Sequence, residues 1–356
     1  MIKTIPDYPL SRDDLAEFLS STGEKEQALF DYSSKIKLQN VGNEVYLRGL
    51  IELSNVCEKD CFYCGIRRSN CNVNRYSLKH EEVIELVKQA FEKGYGSVAI
   101  QSGETTSKSF IDKIDKILRE SKKITNDSIG ITLSCGEQNE ETYRRWFESG
   151  ADRYLLRIET SSEELYKKLH PQGELHSFTK RINALELLRK TGYQVGTGVM
   201  IGLPFQTIEM LADDLFFMKE VNIDMCGMGP YIEHVQTPLY KYKGQLLPPS
   251  VRFNLALKMI SLLRILIPDI NIAATTALHT LDQKGREKAV AIGANVIMPN
   301  ITPYNYRREY LLYENKPLSA LNDEDGLSSL EKNLEALGHR IAYYKQGNSK
   351  HYSKNL

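Results

Sequence analysis

The sequence predicts an α/β fold: one (β/α)8 TIM-type barrel with an N-terminal helical lead-in and a short C-terminal extension. Three observations lead there. From Val45 onward, short β-branched runs alternate with amphipathic helical patterns, the signature of β-α units around a parallel sheet. Eight such runs occur, the number that closes a barrel. The first run is followed by cysteines, where a doubly wound open sheet would carry a glycine-rich phosphate turn.

Composition supports a sizeable core. The chain has 356 residues, 41% hydrophobic and 26% charged, which excludes disordered, collagen-like and fibrous classes. Lys+Arg and Asp+Glu are both 46, so the net charge is zero and the basic face needed for nucleic-acid binding is not expected. No apolar run approaches the roughly 18 to 20 residues of a membrane span, and the opening Met1-Ile-Lys-Thr-Ile-Pro6 lacks the apolar core of a signal peptide. A cytoplasmic protein is expected, with neither membrane nor nucleic acid as partner. Six cysteines are too few for a disulfide scaffold, and in a reducing compartment clustered thiols read as metal ligands or catalysts.

Residues 1–42 form the lead-in, two short polar helices, with Ser11 as N-cap and Leu15, Phe18 and Leu19 on one face. The barrel is assigned to 43–313. Its strands are expected near 45–53, 97–101, 129–134, 153–158, 195–201, 224–228, 271–276 and 294–298. Helices are expected over 79–93, 110–121, 139–149, 177–191, 206–220, 251–266 and 282–292, several of them stopped by Gly94, Gly150, Gly192 or Gly293. Residues 314–356 add a helix around 326–337 and a polar tail from Gln346, expected to be mobile.

The strongest signal follows the first strand: Cys57-Glu-Lys-Asp-Cys61-Phe-Tyr-Cys64, a C-x3-C-x2-C spacing on one loop. Structural zinc takes four protein ligands, usually as two separated pairs, and no second pair appears downstream. A 4Fe–4S cluster held by three cysteines instead keeps one iron open to a small molecule. Placement agrees, because barrel active sites lie where strands end and loops begin. Cys71, Cys135 and Cys226 do not extend the spacing and read as ordinary free thiols.

The other strand ends are polar. Gln101-Ser-Gly-Glu104 follows the second, suited to an amino or carboxylate group or to capping a helix. Thr132 and Ser134 share a face of the third, and Arg157 and Glu159 a face of the fourth, as a salt bridge or as ligand groups. The glycines of Gly196-Thr-Gly198 and Gly202 make room for a ligand or ease curvature. Thr275-Thr276 and Met298-Pro-Asn300 complete the ring, with Met200 and Met298 as soft walls or core filler. Tyr304, Tyr306, Tyr310 and Tyr313 are mostly packing residues, one or two of them closing the cavity. Arg48 and Glu52 share a face of the first strand, which points Arg48 into the lower barrel. On spacing alone Arg181 is solvated, and the histidines, among them His170, His176, His234 and His279, show no ligand-like pair.

With these cysteines in place, the chain resembles the radical S-adenosylmethionine (radical SAM) superfamily, in its biotin-synthase-like branch, and within it the FeFe-hydrogenase H-cluster maturases. The strings that carry the resemblance span about 43 to 313: Ile51-Glu-Leu-Ser-Asn-Val-Cys57, Cys61-Phe-Tyr-Cys-Gly65, Gln101-Ser-Gly-Glu104, Gly150-Ala-Asp-Arg-Tyr-Leu-Leu-Arg157, Gly202-Leu-Pro204, Ala274-Thr-Thr-Ala277 and Gly293-Ala-Asn-Val-Ile-Met-Pro-Asn300. The resemblance implies one 4Fe–4S cluster on Cys57, Cys61 and Cys64, its open iron chelated by S-adenosylmethionine (SAM). It implies SAM contacts from Glu159 and Arg181, with Tyr63, Gln101, Met200 and Ile232 lining that site. It implies a deeper substrate cavity involving Ser134, Arg157, Thr275, Thr276, Met298, Tyr306 and Tyr310. Its implied activity is reductive cleavage of SAM to a 5′-deoxyadenosyl radical and processing of a cysteine-bound iron carbonyl cyanide species. An external one-electron reductant and the other hydrogenase maturases are the implied partners.

No cysteine follows Cys226, so the second surface cluster of some relatives is not expected. An amino-acid mutase of the 3-methylornithine-synthase type shares barrel and cluster and is the alternative reading. A non-catalytic iron–sulfur scaffold or carrier is the third.

Overall fold

The computed structural model describes residues 10–318 and 324–354. The opening hexapeptide and the last two residues of the tail lie outside the described residues. Two helices lead in. Ser11 caps α1 (Arg12–Ser20) through its hydroxyl on the Asp14 amide, and Asp14 accepts the Ser11 amide in return. α1 buries Leu15, Phe18 and Leu19 as its spacing predicts. From α2 (Glu24–Asn40), buried Ser33 donates to the carbonyl of Ile292 and Lys37 to that of Val290 at 2.5 Å, fixing the lead-in to the barrel's outer layer.

The chain then alternates through β1 (Glu44–Ser54), α3 (His80–Glu92), β2 (Ser97–Ser102), α4 (Lys108–Ile124), β3 (Gly130–Ser134), α5 (Glu140–Glu148), β4 (Arg153–Leu155), α6 (Glu163–Leu169), α7 (Phe178–Thr191) and β5 (Gln194–Thr197). It continues through β6 (Met200–Ile201), α8 (Ile208–Glu220), β7 (Met225–Cys226), β8 (Gly229–Pro230), α9 (Pro249–Leu266), β9 (Asn271–Ala274), α10 (Thr276–Leu281), α11 (Gly285–Ile292) and β10 (Val296–Ile297). After the barrel come α12 (Tyr304–Arg307), α13 (Glu324–Ala336), β11 (Arg340–Ile341) and α14 (Lys350–Lys354).

Eight parallel strands in the order β1-β2-β3-β4-β5-β7-β9-β10 close into a barrel when β10 pairs with β1, Tyr46 opposite Val296 and Leu47 opposite Ile297. Along β1 the side chains alternate: Arg48, Leu50 and Glu52 line interior cavities, while Leu47, Ile51 and Leu53 join the hydrophobic layer beneath the helices. Arg48 therefore points into the lower barrel, as its parity suggested. Among the described residues no helix is long and apolar enough to cross a membrane.

The fourth and fifth strands are shorter than their apolar runs. Beyond Leu155 the amides of Leu156 and Ile158 still reach the carbonyls of Gly196 and Gly198, but the path bends, and the fifth run divides into β5 and β6. Gly198 lies so near the neighbouring strand that a Cβ would stand 2.1 Å from the Gly227 carbonyl oxygen. Its glycine serves strand approach. Helix α6 was not expected, although Ser162 caps it through the Leu165 amide and two glutamates follow that cap.

The tail corrects an expectation. β11 adds to β1 at Glu44 and Val45, and the segment after it seals the barrel floor instead of moving freely. The Arg48 guanidinium donates to the Gly347 carbonyl at 3.0 Å, and Arg153 donates to the Gln346 carbonyl at 2.9 Å and to Asn348 Oδ1 at 2.5 Å. Asn271 also donates to Gly347, and Gln194 to Asn348. Two buried guanidiniums need acceptors, and polar residues that read as a loose tail supply them.

Candidate active site

One cavity of about 330 Å³ opens inside the barrel at the C-terminal ends of the strands. The loop after β1 brings Cys57, Cys61 and Cys64 to its wall, with Cys61 buried and Cys57 and Cys64 half-buried. Burial pushes the Cys61 thiol up to about 12 and Cys64 well above the ordinary thiol range, and neighbouring sulfur charge adds to both. Three thiols whose charges act on one another resist ionising together unless a cation shares them, and three cysteine sulfurs are the donor set an iron–sulfur cluster uses. The loop is held from outside. Gly103 lets the end of β2 lie against it, since a Cβ there would meet the Val56 carbonyl at 2.2 Å, and the Glu104 amide donates to Cys57 Sγ at 3.3 Å.

Zinc finds a weaker set here. Among the described residues, Cys61 is joined by His170 and His176, with ligand atoms within 4.8 Å of one another, a juxtaposition that sequence spacing did not suggest. Both imidazoles are already engaged. His176 Nε2 accepts the Asp60 amide at 3.1 Å, and His170 Nδ1 donates to the Tyr166 carbonyl at 2.9 Å. Burial lowers His170 to about 3 and His176 to about 4, so both are neutral and serve as packing and hydrogen-bonding walls behind the loop.

Tyr63, Gln101, Glu159, Arg181, Met200 and Ile232 all line the cavity. Arg181 is buried, against its solvated reading from spacing, because α7 aims it inward at two carboxylates. It pairs with Glu104 at 3.2 Å and Glu137 at 2.8 Å, and Lys59, from between the cysteines, pairs with the same two at 3.0 and 3.1 Å. This neutral quartet ties the cysteine loop to α7 and to the ends of β2 and β3. Glu159 pairs with Arg157 at 2.8 Å and sits at φ +65°, a left-handed conformation unusual for a side-chain-bearing residue. Asp214 on α8 grips the chain two residues further on, accepting from the Ser161 amide at 2.5 Å and from its hydroxyl at 2.6 Å.

Ser134, Arg157, Thr275, Thr276, Met298 and Tyr310 line the same cavity. Tyr306 does not, and its expected place is corrected. It rides on α12 with its hydroxyl donating to Glu82 on α3 at 3.0 Å and its ring against Tyr76. Tyr313 lines the cavity in addition to Tyr310, whereas Tyr304 is exposed. The sequence gives no role to Lys59, Glu137 or Lys316, places Glu52 only on a face with Arg48, and offers Glu104 only within the polar string at the end of β2. Lys59 was legible in principle, as the lone cation inside the cysteine motif; Glu137 and Lys316 come from distant turns that only folding brings near.

Comparison with known proteins agrees with this geometry. A family model, the Radical SAM superfamily, matches residues 51–218, which includes the cysteine loop and Arg181. The [FeFe] hydrogenase maturase subunit HydE of Thermotoga maritima is 45% identical over 88% of this chain and 86% of its own length. The chain belongs to the radical SAM superfamily. It is accordingly an enzyme that reductively cleaves SAM, and 4Fe–4S and SAM binding follow from the family. A 3-methylornithine synthase of Methanosarcina acetivorans is 29% identical over 94% of this chain and 91% of its own. The crystal structure of methylornithine synthase (PylB) superposes with a TM-score of 0.76 at 26% identity, covering 95% of this chain and 96% of that one. The maturase HydG shares the fold, with a TM-score of 0.79 at 20% identity over 97% of this chain and 76% of that chain.

Proposed function

We propose that this radical SAM protein is an H-cluster maturase of the HydE type, processing a cysteine-bound iron carbonyl cyanide precursor in the cytoplasm alongside the other hydrogenase maturases. The 45% identity to the Thermotoga HydE across nearly the whole of both chains carries this reading. In it Cys57, Cys61 and Cys64 would hold one 4Fe–4S cluster with an open iron for SAM, and the chemistry that the cluster and SAM would supply, with an external one-electron donor, is reductive cleavage of SAM to a 5′-deoxyadenosyl radical. The chain's own residues bind and orient. Glu159, held in its turn by Asp214, accepts hydrogen bonds from SAM, and Arg181 contacts SAM from its ion pairs with Glu104 and Glu137. Tyr63, Gln101, Met200 and Ile232 line the SAM site, and Ser134, Arg157, Thr275, Thr276, Met298 and Tyr310 surround the substrate below it. Enclosure within the barrel keeps water and stray hydrogen donors from a reactive carbon radical. We read residues 1–42, 43–313 and 314–356 as lead-in, barrel and extension.

A mutase of the 3-methylornithine-synthase type is the second reading, supported by matching coverage at 29% identity. Anaerobic reconstitution with iron and sulfide, reduction, and addition of SAM should yield 5′-deoxyadenosine and a cluster paramagnetic resonance spectrum perturbed by SAM. Faster SAM turnover with L-lysine would favour the mutase. A bound cluster with neither product nor perturbation would replace both readings with a scaffold.

A further inference from the structure

The cavity holds three sets of opposed charges. Arg157–Glu159 joins a residue assigned to the substrate with one assigned to SAM, and the Lys59–Arg181–Glu104–Glu137 quartet stands beside the cysteine loop. The third, Glu52 with Lys316, has no such assignment. Glu52 lies inward on β1, fixed by its amide on the Thr302 hydroxyl at 2.8 Å and by its carbonyl, which accepts from Tyr76 at 2.8 Å. Lys316 comes from the extension after the barrel, outside the stretch matched by the family model, and follows Asn315 at φ +54°. Its ammonium donates to Glu52 Oε1 and, at 2.7 Å, to the Tyr310 carbonyl, and stands 4.9 Å from the Tyr310 ring centre.

Both side chains are more than nine-tenths buried, and both line the cavity. Their hydrogen bonding is lopsided. Lys316 has two acceptors, whereas Glu52 Oε2 is buried without a partner. A carboxylate that lines the cavity and gives only one oxygen to the protein is suited to accept from a ligand, and the donor that best complements an anion is a cationic N–H. An anionic ligand would instead meet the occupied side of the pair.

We propose that Glu52 is the amine anchor of the substrate site, accepting an N–H from a protonated amine, and that Lys316 is the positioning residue that holds this carboxylate in place. It rests on reading the cavity as the radical site, and it names a chemical requirement for the substrate: a cationic amine. Arg157, in the same cavity with its Nε unpartnered, offers a matching place for a carboxylate. Glu52 lies within the stretch matched by the family model, 51–218, and Lys316, the residue that positions it, lies beyond it.

The test uses the reconstituted, cluster-loaded protein with SAM present. Calorimetry compares S-methyl-L-cysteine with 3-(methylthio)propionate, which keeps the carboxylate and thioether and lacks the amine. The wild type should bind the amine-bearing probe at least about tenfold more tightly. Glu52→Gln should bring the two within about twofold, with iron content and SAM affinity unchanged. Should Glu52→Gln fail to fold, Lys316→Met carries the same test, since it leaves the carboxylate without its strap. Equal binding of the two probes by the wild type, no binding of either, a preference that survives substitution, or a parallel loss of SAM affinity would each overturn the proposal. Absence of 5′-deoxyadenosine from the wild type would overturn the radical-enzyme assignment alone, because the calorimetric comparison does not depend on turnover.

Discussion

Glu159 occupies a backbone conformation that costs a non-glycine residue about 1–3 kcal/mol, and the surroundings hold it there. Asp214 does much of this by accepting from both the amide and the hydroxyl of Ser161. If Glu159 carries SAM contacts, Glu159→Ala should weaken SAM binding by roughly ten- to a hundredfold, the worth of a charged hydrogen bond. Equilibrium dialysis checks this, and iron content should not change. Asp214 itself is pushed up to about 7, chiefly by burial, with the Ser161 bonds opposing the shift. Its folded value lies above the ordinary carboxylate range, so the native state binds the extra proton and stability falls as pH rises from about 4 to 7. Asp214→Asn should remove that slope. Urea titrations at pH 5 and pH 8 should show the wild type losing stability relative to the variant, and parallel behaviour would mean that Asp214 ionises without cost.

Elements differ in how much of them a single sequence discloses. β1, β2 and α3 follow their apolar periods closely, because each buries one face in a continuous layer. β4 and β7 are short, because their runs bend toward the mouth and glycine packing there obeys a neighbour in space. The cysteine loop was legible because its ligands lie close in sequence. The quartet around Arg181 was not, since it joins residues from four loops and helices. The segment after β11 was misread for a related reason: its composition is polar, and the partners that make it structural, Arg48 and Arg153, stand about 195 residues or more away. Truncation after Lys345 should strip acceptors from both guanidiniums and lower stability by about 3 kcal/mol or more, measured by urea denaturation. A truncated protein as stable as the whole would show that water serves the floor equally well.

Over the whole molecule, the two ends of the barrel have different owners. The catalytic mouth is built mostly within the stretch common to the family, 51–218, with the late extension adding Lys316. The floor is completed by residues 346–349, which the family stretch does not include. Net charge is zero, so the molecule as a whole carries no excess charge that would attract a polyanion or polycation. β1 is the meeting point. It pairs with β2 early in the chain, with β10 after the last crossover, and with β11 later still. During synthesis, therefore, the first strand leaves the ribosome long before two of its three partners exist. The cysteine loop can be displayed on a half-made sheet for many seconds, with thiols exposed to oxygen and to stray metal. The order of translation is thus a hazard for these thiols, and a cluster inserted after the final strands have docked meets a loop already enclosed.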